Sequence, residues 1–181
     1  MSKIYTTEIT SDQLASDNPL HQRLLKPYVV AKEWIKGDLL EVGCGEGRGI
    51  DLLLPSVASF TAIDKIESAV VQLRDKFPQG KFINGHLPPL PFSDAMFDSI
   101  VSFQVIEHIE NDVLFLKEIH RVLKQGGVAL ITTPNRLQSL SRNPWHVREY
   151  TSEELIAETE IPTTPLARDP GWEKAGATGT I

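Results

Sequence analysis

The stretch "LLEVGCGEGRG", Leu39 to Gly49, follows an apolar run with glycines at 43, 45, 47 and 49, spaced two apart. Backbone without side chains lets a ligand approach closely and accepts the left-handed angles of a tight turn. The dinucleotide fingerprint G-x-G-x-x-G does not fit. Its sixth position would be Arg48 counted from Gly43, Ile50 from Gly45 and Leu52 from Gly47. The pattern present is acid-x-G-x-G-x-G, with Glu41 as the acid. Asp64 ends a second apolar run, "FTAID", 19 residues beyond Gly45. A carboxylate at such a strand tip accepts both hydroxyls of a ribose. Together the turn and the carboxylate point to a nucleoside-bearing ligand without a pyrophosphate, and they argue against a nicotinamide oxidoreductase.

Further polar groups stand after later apolar runs. "QVIEHIEND" carries Gln104, Glu107 and His108. His108 has the chemistry of a general base; the plainer alternative is that Glu107 and His108 only begin a helix. "NPWHVREY" brings Trp145, His146, Arg148 and Tyr150 into one loop. That loop either covers an acceptor or is anchored by Trp145 packing on the core. Arg23 is a candidate partner for a ligand carboxylate, although an exposed helical Arg ordinarily does nothing specific. Cys44 is the lone cysteine and reads as a small buried packing residue rather than a nucleophile. No Cys/His cluster has metal-ligand spacing, so neither structural zinc nor a disulfide framework is implied.

The elements that must position these groups are legible as short apolar, partly β-branched runs: 38–44, 60–64, 81–85, 97–104 and 127–134. Such runs read as strands covered on both faces. Helical patterns separate them at 46–54, 66–77 and 111–123, the last ending at Gly126 and Gly127. A further helical pattern over 18–34 contains Pro27, which should kink or split it. Strand alternating with helix predicts an α/β fold, a doubly wound, mostly parallel sheet. The predicted domain covers 1–159, with a helical segment at 1–36. Residues 160–181, rich in Pro, Gly and Thr without apolar periodicity, read as a mobile tail.

The chain of 181 residues suffices for one core, and its net charge of −6 comes with no Lys/Arg run. An electrostatic footprint for nucleic acid or an anionic membrane is missing. The polar start and the lack of any window of ~18 apolar residues predict a cytoplasmic chain without a membrane span.

At "LLEVGCGEGRG", "AID", "LPPLPFSDAMFDSIVSFQVIEHI", "EIHRVLKQGGVALITTPN" and "NPWHVREYTSEEL" the sequence resembles the class I S-adenosylmethionine-dependent methyltransferases, in particular the small bacterial ubiquinone-methylase-like group. The resemblance covers about Leu39 to Leu155 and implies a Rossmann-like fold with S-adenosyl-L-methionine as cofactor. It implies that Glu41, Gly43, Cys44, Gly45 and Gly47 wrap the methionine part. Asp64, with Lys65 beside it, takes the ribose diol. The loop after the third strand meets the adenine, and there His86 replaces the Asp that many relatives carry, so recognition falls to backbone around Leu87. Phe103 and Gln104, at the tip of the fourth strand, complete the implied cofactor set, and His108 is the catalytic candidate.

Methyl transfer from a sulfonium is an in-line displacement with an activated leaving group. Positioning supplies roughly 7–11 kcal/mol of such a barrier. A base is needed only when the acceptor loses a proton. The expected reaction is methylation of a small molecule, with a catalytically weak or inactive cofactor-binding module as the alternative. Relatives continue into two further strands, and the composition of 160–181 predicts that this sequence does not form them. The resulting apolar edge predicts either a homodimer along Val128 to Thr132 or poor solubility.

Overall fold

Residues in a strand point alternately to opposite faces, so a strand buried on both sides feeds two cores at once. The computed structural model, which describes residues 19–139 and 143–159, is built this way. Its strands are β1 (Asp38–Val42), β2 (Ser59–Asp64), β3 (Lys81–Asn84), β4 (Phe97–Phe103) and β5 (Leu123–Thr132). They form one sheet in the order β3-β2-β1-β4-β5, every pairing parallel. In β1, Leu39 enters one apolar cluster while Leu40 and Val42 enter the other. Phe60 and Ala62 of β2 and Val101 and Phe103 of β4 join the first cluster, whereas Ile63 and Ile100 join the second. Each fully buried Leu or Ile contributes roughly 1.5–3 kcal/mol.

The helices are α1 (Pro19–Ala31), α2 (Ile50–Leu53), α3 (Glu67–Lys76), α4 (Asp112–Val122) and α5 (Ser152–Thr159). Tyr28, Ala31, Ile50, Val70 and Leu73 cover the first face; Phe115, Leu116, Ile119 and Tyr150 cover the second. The chain starts at central β1, moves out to β2 and β3, then returns to the other side of β1 as β4 and β5. Strand order therefore reverses between β1 and β4, and ligands of such sheets bind beyond the carboxyl ends of the strands at that point.

Several expected boundaries move. Helix α1 runs through Pro27 without splitting. The helix expected over 46–54 shrinks to Ile50–Leu53, continued by a 3-10 turn, because Gly45 and Gly47 take left-handed φ angles of 51° and 81° that a helix cannot hold. β5 begins at Leu123, directly after α4, with a register shift against β4 between Phe97 and Ser99. β5 is also not covered on both faces. From Val128 to Thr132 its residues are half-buried, and among the described residues β4 is its strand partner on one side only. Asn111 caps α4 by accepting the Leu114 N–H at 3.0 Å. Thr151 and Glu154 form a reciprocal capping box at the start of α5: the Leu155-bearing helix opens with the Thr151 hydroxyl accepting the Glu154 N–H at 3.2 Å and Glu154 accepting the Thr151 N–H at 2.8 Å.

No helix among the described residues is long and apolar enough to cross a membrane. The tail expected at 160–181 and the first half of the segment 1–36 lie outside the described residues.

Candidate functional site

A cleft of about 270 Å³ opens at the carboxyl ends of β1, β2 and β4. Its floor is the glycine turn. The Gly43 N–H donates to the Ile63 carbonyl at 2.8 Å, which ties the turn to β2, and the Gly47 N–H closes it on the Cys44 carbonyl at 2.9 Å. Asp64, 7% exposed, then clamps it: one carboxylate oxygen accepts the Gly45 N–H at 2.8 Å and the other the Ile66 N–H at 2.9 Å. Each oxygen keeps a second lone pair for a ligand hydroxyl. Asp64 thus shapes the turn as well as facing the cleft.

Gly43, Cys44, Gly45, Asp64, Lys65, His86, Leu87, Phe103, Gln104 and His108 all line this space. Glu41 and Gly47, expected with them, stand behind it. A Cβ on Gly47 would overlap Leu73 and Ile50 side chains, so this glycine serves the packing of the turn on α3. Glu41 lies under the turn, 1% exposed, and its Oε1 accepts the Tyr28 hydroxyl at 2.9 Å. Its Oε2 has no hydrogen-bond partner. Burial, with a smaller push from Asp64, lifts this carboxyl up to about 8. Burial also pushes the Cys44 thiol well up, with Glu41 and Asp64 adding to it, which keeps the sulfur protonated and fits packing rather than nucleophilic chemistry.

Gln104 directly follows β4, with φ at +60°, a left-handed angle uncommon outside glycine. It is held there by its N–H on the Thr132 carbonyl at 2.8 Å and its side-chain amide on the Thr132 hydroxyl at 3.3 Å. His108 follows in a short 3-10 turn (Ile106–His108), and its Nδ1 meets the Trp145 carbonyl at 2.9 Å. The loop bearing His86 and Leu87 is fastened further along by Arg121, whose guanidinium donates to the Phe92 carbonyl at 2.8 Å and the Leu90 carbonyl at 3.0 Å.

Other expectations fare differently. Trp145, His146, Arg148 and Tyr150 do not line the cleft. Their loop is anchored, but by Tyr150 and not by Trp145: Tyr150 is 1% exposed and donates to Asp112 at 2.7 Å, while Trp145 is 53% exposed. Arg148 adds a hydrogen bond to the same Asp112 carboxylate at 2.9 Å. Arg23 is exposed on α1 and does not line the cleft, whereas Arg48 of the glycine turn does. Leu24, Tyr28, Ile66, Val105 and Ile109 also line it and were not expected there. Tyr28 sits four residues after Leu24, a spacing that reads only as core, and its ring packs edge-on against Phe103 at 4.8 Å.

The sequence and the fold around this turn match known proteins. A family model described as "Methyltransferase domain" matches residues 40–131. The chain belongs to the methyltransferase-domain family.

Within the chain the methyltransferase-domain match runs from within β1 to within β5, and so includes the glycine turn, Asp64, Leu87, Gln104 and His108. Helix α1 and the loop bearing His146 lie outside it. A probable S-adenosylmethionine-dependent methyltransferase of Mycolicibacterium smegmatis is 38% identical over 156 residues, covering 83% of this chain and 61% of that protein. A protein of the same description from Mycobacterium tuberculosis is 39% identical over 125 residues, covering 66% of this chain and 46% of the relative. The chain therefore spans about half to three fifths of the length of these relatives. A crystal structure of a SAM dependent methyltransferase from Aquifex aeolicus superimposes with a TM-score of 0.64 at 22% identity, covering 80% of this chain and 82% of that one, which shows a shared fold.

Proposed function

We propose that this chain transfers a methyl group from S-adenosyl-L-methionine to a small-molecule acceptor. The observation that carries the reading is the clamp of Asp64 on Gly45, which combines a bare backbone floor and a carboxylate at one end of the cleft. The residues present suit that cofactor. The Asp64 carboxylate has lone pairs for two vicinal hydroxyls; Ile66 and Leu87 offer apolar surface for a purine; Gly43 and Gly45 leave room for an aliphatic chain; Phe103 and Tyr28 close the cleft with aromatic surface. Bound there, S-adenosyl-L-methionine supplies a methyl group on a sulfonium, already activated for displacement.

What the protein adds is alignment and exclusion of water. Gln104, fixed in its left-handed conformation, and His108 stand at the tip of β4, on the acceptor side in this reading. The carbonyl of Trp145 can only accept, so the His108 Nδ1 carries a proton, and in the neutral imidazole the lone pair is on Nε2. His108 is then oriented to take a proton at Nε2 from an acceptor hydroxyl or amine. The net charge of −6 supports an uncharged or cationic small molecule over nucleic acid. Calorimetric titration with S-adenosylhomocysteine, the demethylated cofactor, followed by turnover with labelled donor against a panel of acceptors, tests this. Binding with turnover is expected. Binding without turnover would favour the alternative, a cofactor-binding module, and no binding would end the reading.

A further inference from the structure

Two segments far apart in the chain bring three groups together beside the cleft: Glu107 and His108 in the turn after β4, and His146 in the loop after β5. A ligating atom of each lies within 4.8 Å of the others, and the two imidazole rings stand edge to face with centroids 4.9 Å apart. Both rings have a fixed orientation. His108 Nδ1 donates to the Trp145 carbonyl at 2.9 Å. His146 Nδ1 meets the Glu149 carboxylate at 2.6 Å, and its Nε2 meets the Asn143 side-chain nitrogen at 2.9 Å. The Trp145 N–H donates to the Asn143 Oδ1 at 3.0 Å, so the amide turns its N–H toward His146 and the Nε2 of that ring carries a lone pair. Imidazoles whose Nδ1–H is held by a carbonyl or a carboxylate, with the lone pair on the other nitrogen, are how proteins orient metal-ligating histidines.

Glu107 supplies the charge. It is 1% exposed, its Oε2 accepts the Thr133 hydroxyl at 3.0 Å, and its backbone carbonyl accepts the Val147 N–H at 2.7 Å, which ties the two loops together. A buried carboxylate is stabilised by a cation beside it. Two imidazole nitrogens and one carboxylate oxygen suit a borderline metal ion better than magnesium or calcium, which favour oxygen alone.

We propose that Glu107, His108 and His146 bind a divalent transition metal ion of the zinc class, with the Asn143 amide giving way at His146. Three protein ligands leave coordination positions open, and His108 also lines the cleft, so the ion faces the same space. Under the methyl-transfer reading, His108 is then a ligand and not a base, and an acceptor oxygen coordinated to the metal is the group made acidic.

The full chain, stripped with a chelator, is titrated with zinc chloride by calorimetry. S-adenosylhomocysteine is titrated separately into the same preparation. One equivalent of zinc is expected to bind, with affinity about 10–100-fold lower in His146→Gln and in His108→Gln, each checked for fold by circular dichroism. Cobalt(II) added to the unsubstituted chain gives a readout that needs no variant: strong visible d–d bands are expected from a low-coordinate histidine site. No saturable zinc binding, zinc affinity indifferent to both substitutions, or a cobalt spectrum identical to the aqueous ion would overturn the site. Failure of zinc with S-adenosylhomocysteine bound removes this inference alone, and the converse removes only the methyl-transfer reading.

Discussion

Replacing Glu41 by Gln should turn a pH-dependent stability into a flatter one. In the fold this carboxyl is pushed up to about 8 by burial, against 4.5 ordinarily. Between those values the unfolded chain carries the ionised group while the folded chain keeps the proton. The folded state then binds more protons, so the group's contribution to stability falls as pH rises, by about 1.4 kcal/mol per unit. Across the whole interval the loss is about 3–5 kcal/mol, complete only above pH ~8. Gln mimics the protonated acid and still accepts the Tyr28 hydroxyl, but its amide donors stand where Oε2 has no partner, at a pH-independent cost of about 1–3 kcal/mol. Glu107, raised in the same direction to about 7, is present in both proteins and cancels from the difference. Urea unfolding followed by circular dichroism from pH 5 to pH 9 reads this out. At pH ~5 the variant should equal the parent or be less stable; at pH ~9 it should be the more stable of the two. A stability difference that stays constant over that range would refute the assignment of Glu41 as a buried neutral acid.

Other outcomes follow from the site and the sheet. Asp64→Ala leaves the Gly45 and Ile66 N–H groups without their acceptor, so it should lower stability by about 1–3 kcal/mol and weaken S-adenosylhomocysteine about 10–100-fold; unchanged affinity by calorimetry would show that the ribose assignment is wrong. Gly47→Ala forces a Cβ toward Leu73 and Ile50 at a φ of +81° and should cost about 1–3 kcal/mol in urea unfolding. Were stability unchanged and binding lost, this glycine would belong to the ligand surface instead. Along β5, backbone pairing from Val128 to Thr132 predicts a two-chain particle in multi-angle light scattering, and a monomer at every concentration would dismiss that edge as an interface.

The sheet could be read in the sequence because burial on both faces leaves a nearly continuous apolar run, as at Leu39–Val42 and Ile100–Phe103, and a run of that kind has few other uses. The same logic misjudged β5, where an edge strand carries as apolar a sequence as a central one although its residues from Val128 to Thr132 are only half-buried. The glycine turn and Asp64 were legible through spacing, since turn and strand tip are one βαβ unit apart. Their mutual hydrogen bond was not, because nothing in the residue types says that the carboxylate holds the turn. Tyr28 escaped for a different reason: helical periodicity marks a buried face but not whether a cleft touches it. The capping residues Thr151 and Glu154 were a local signal passed over beside the more conspicuous aromatic loop. His146 could not be grouped with Glu107 and His108 at all. Their proximity depends on the loop after β5 folding back across β4, fixed by Tyr150 on Asp112 and by Val147 on Glu107.

The central claim is that the cleft beyond β1, β2 and β4 is built for S-adenosyl-L-methionine. Calorimetric titration of the chain with S-adenosylhomocysteine, run beside Gly45→Val, addresses it most directly. Gly45 takes φ at +51° and hands its N–H to Asp64, so a branched side chain there disturbs both the turn and the space above it. The account predicts saturable one-to-one binding in the parent and none in a folded Gly45→Val variant. A parent chain that gives no binding heat and no thermal shift at about 1 mM ligand, where even weak sites fill, would contradict it.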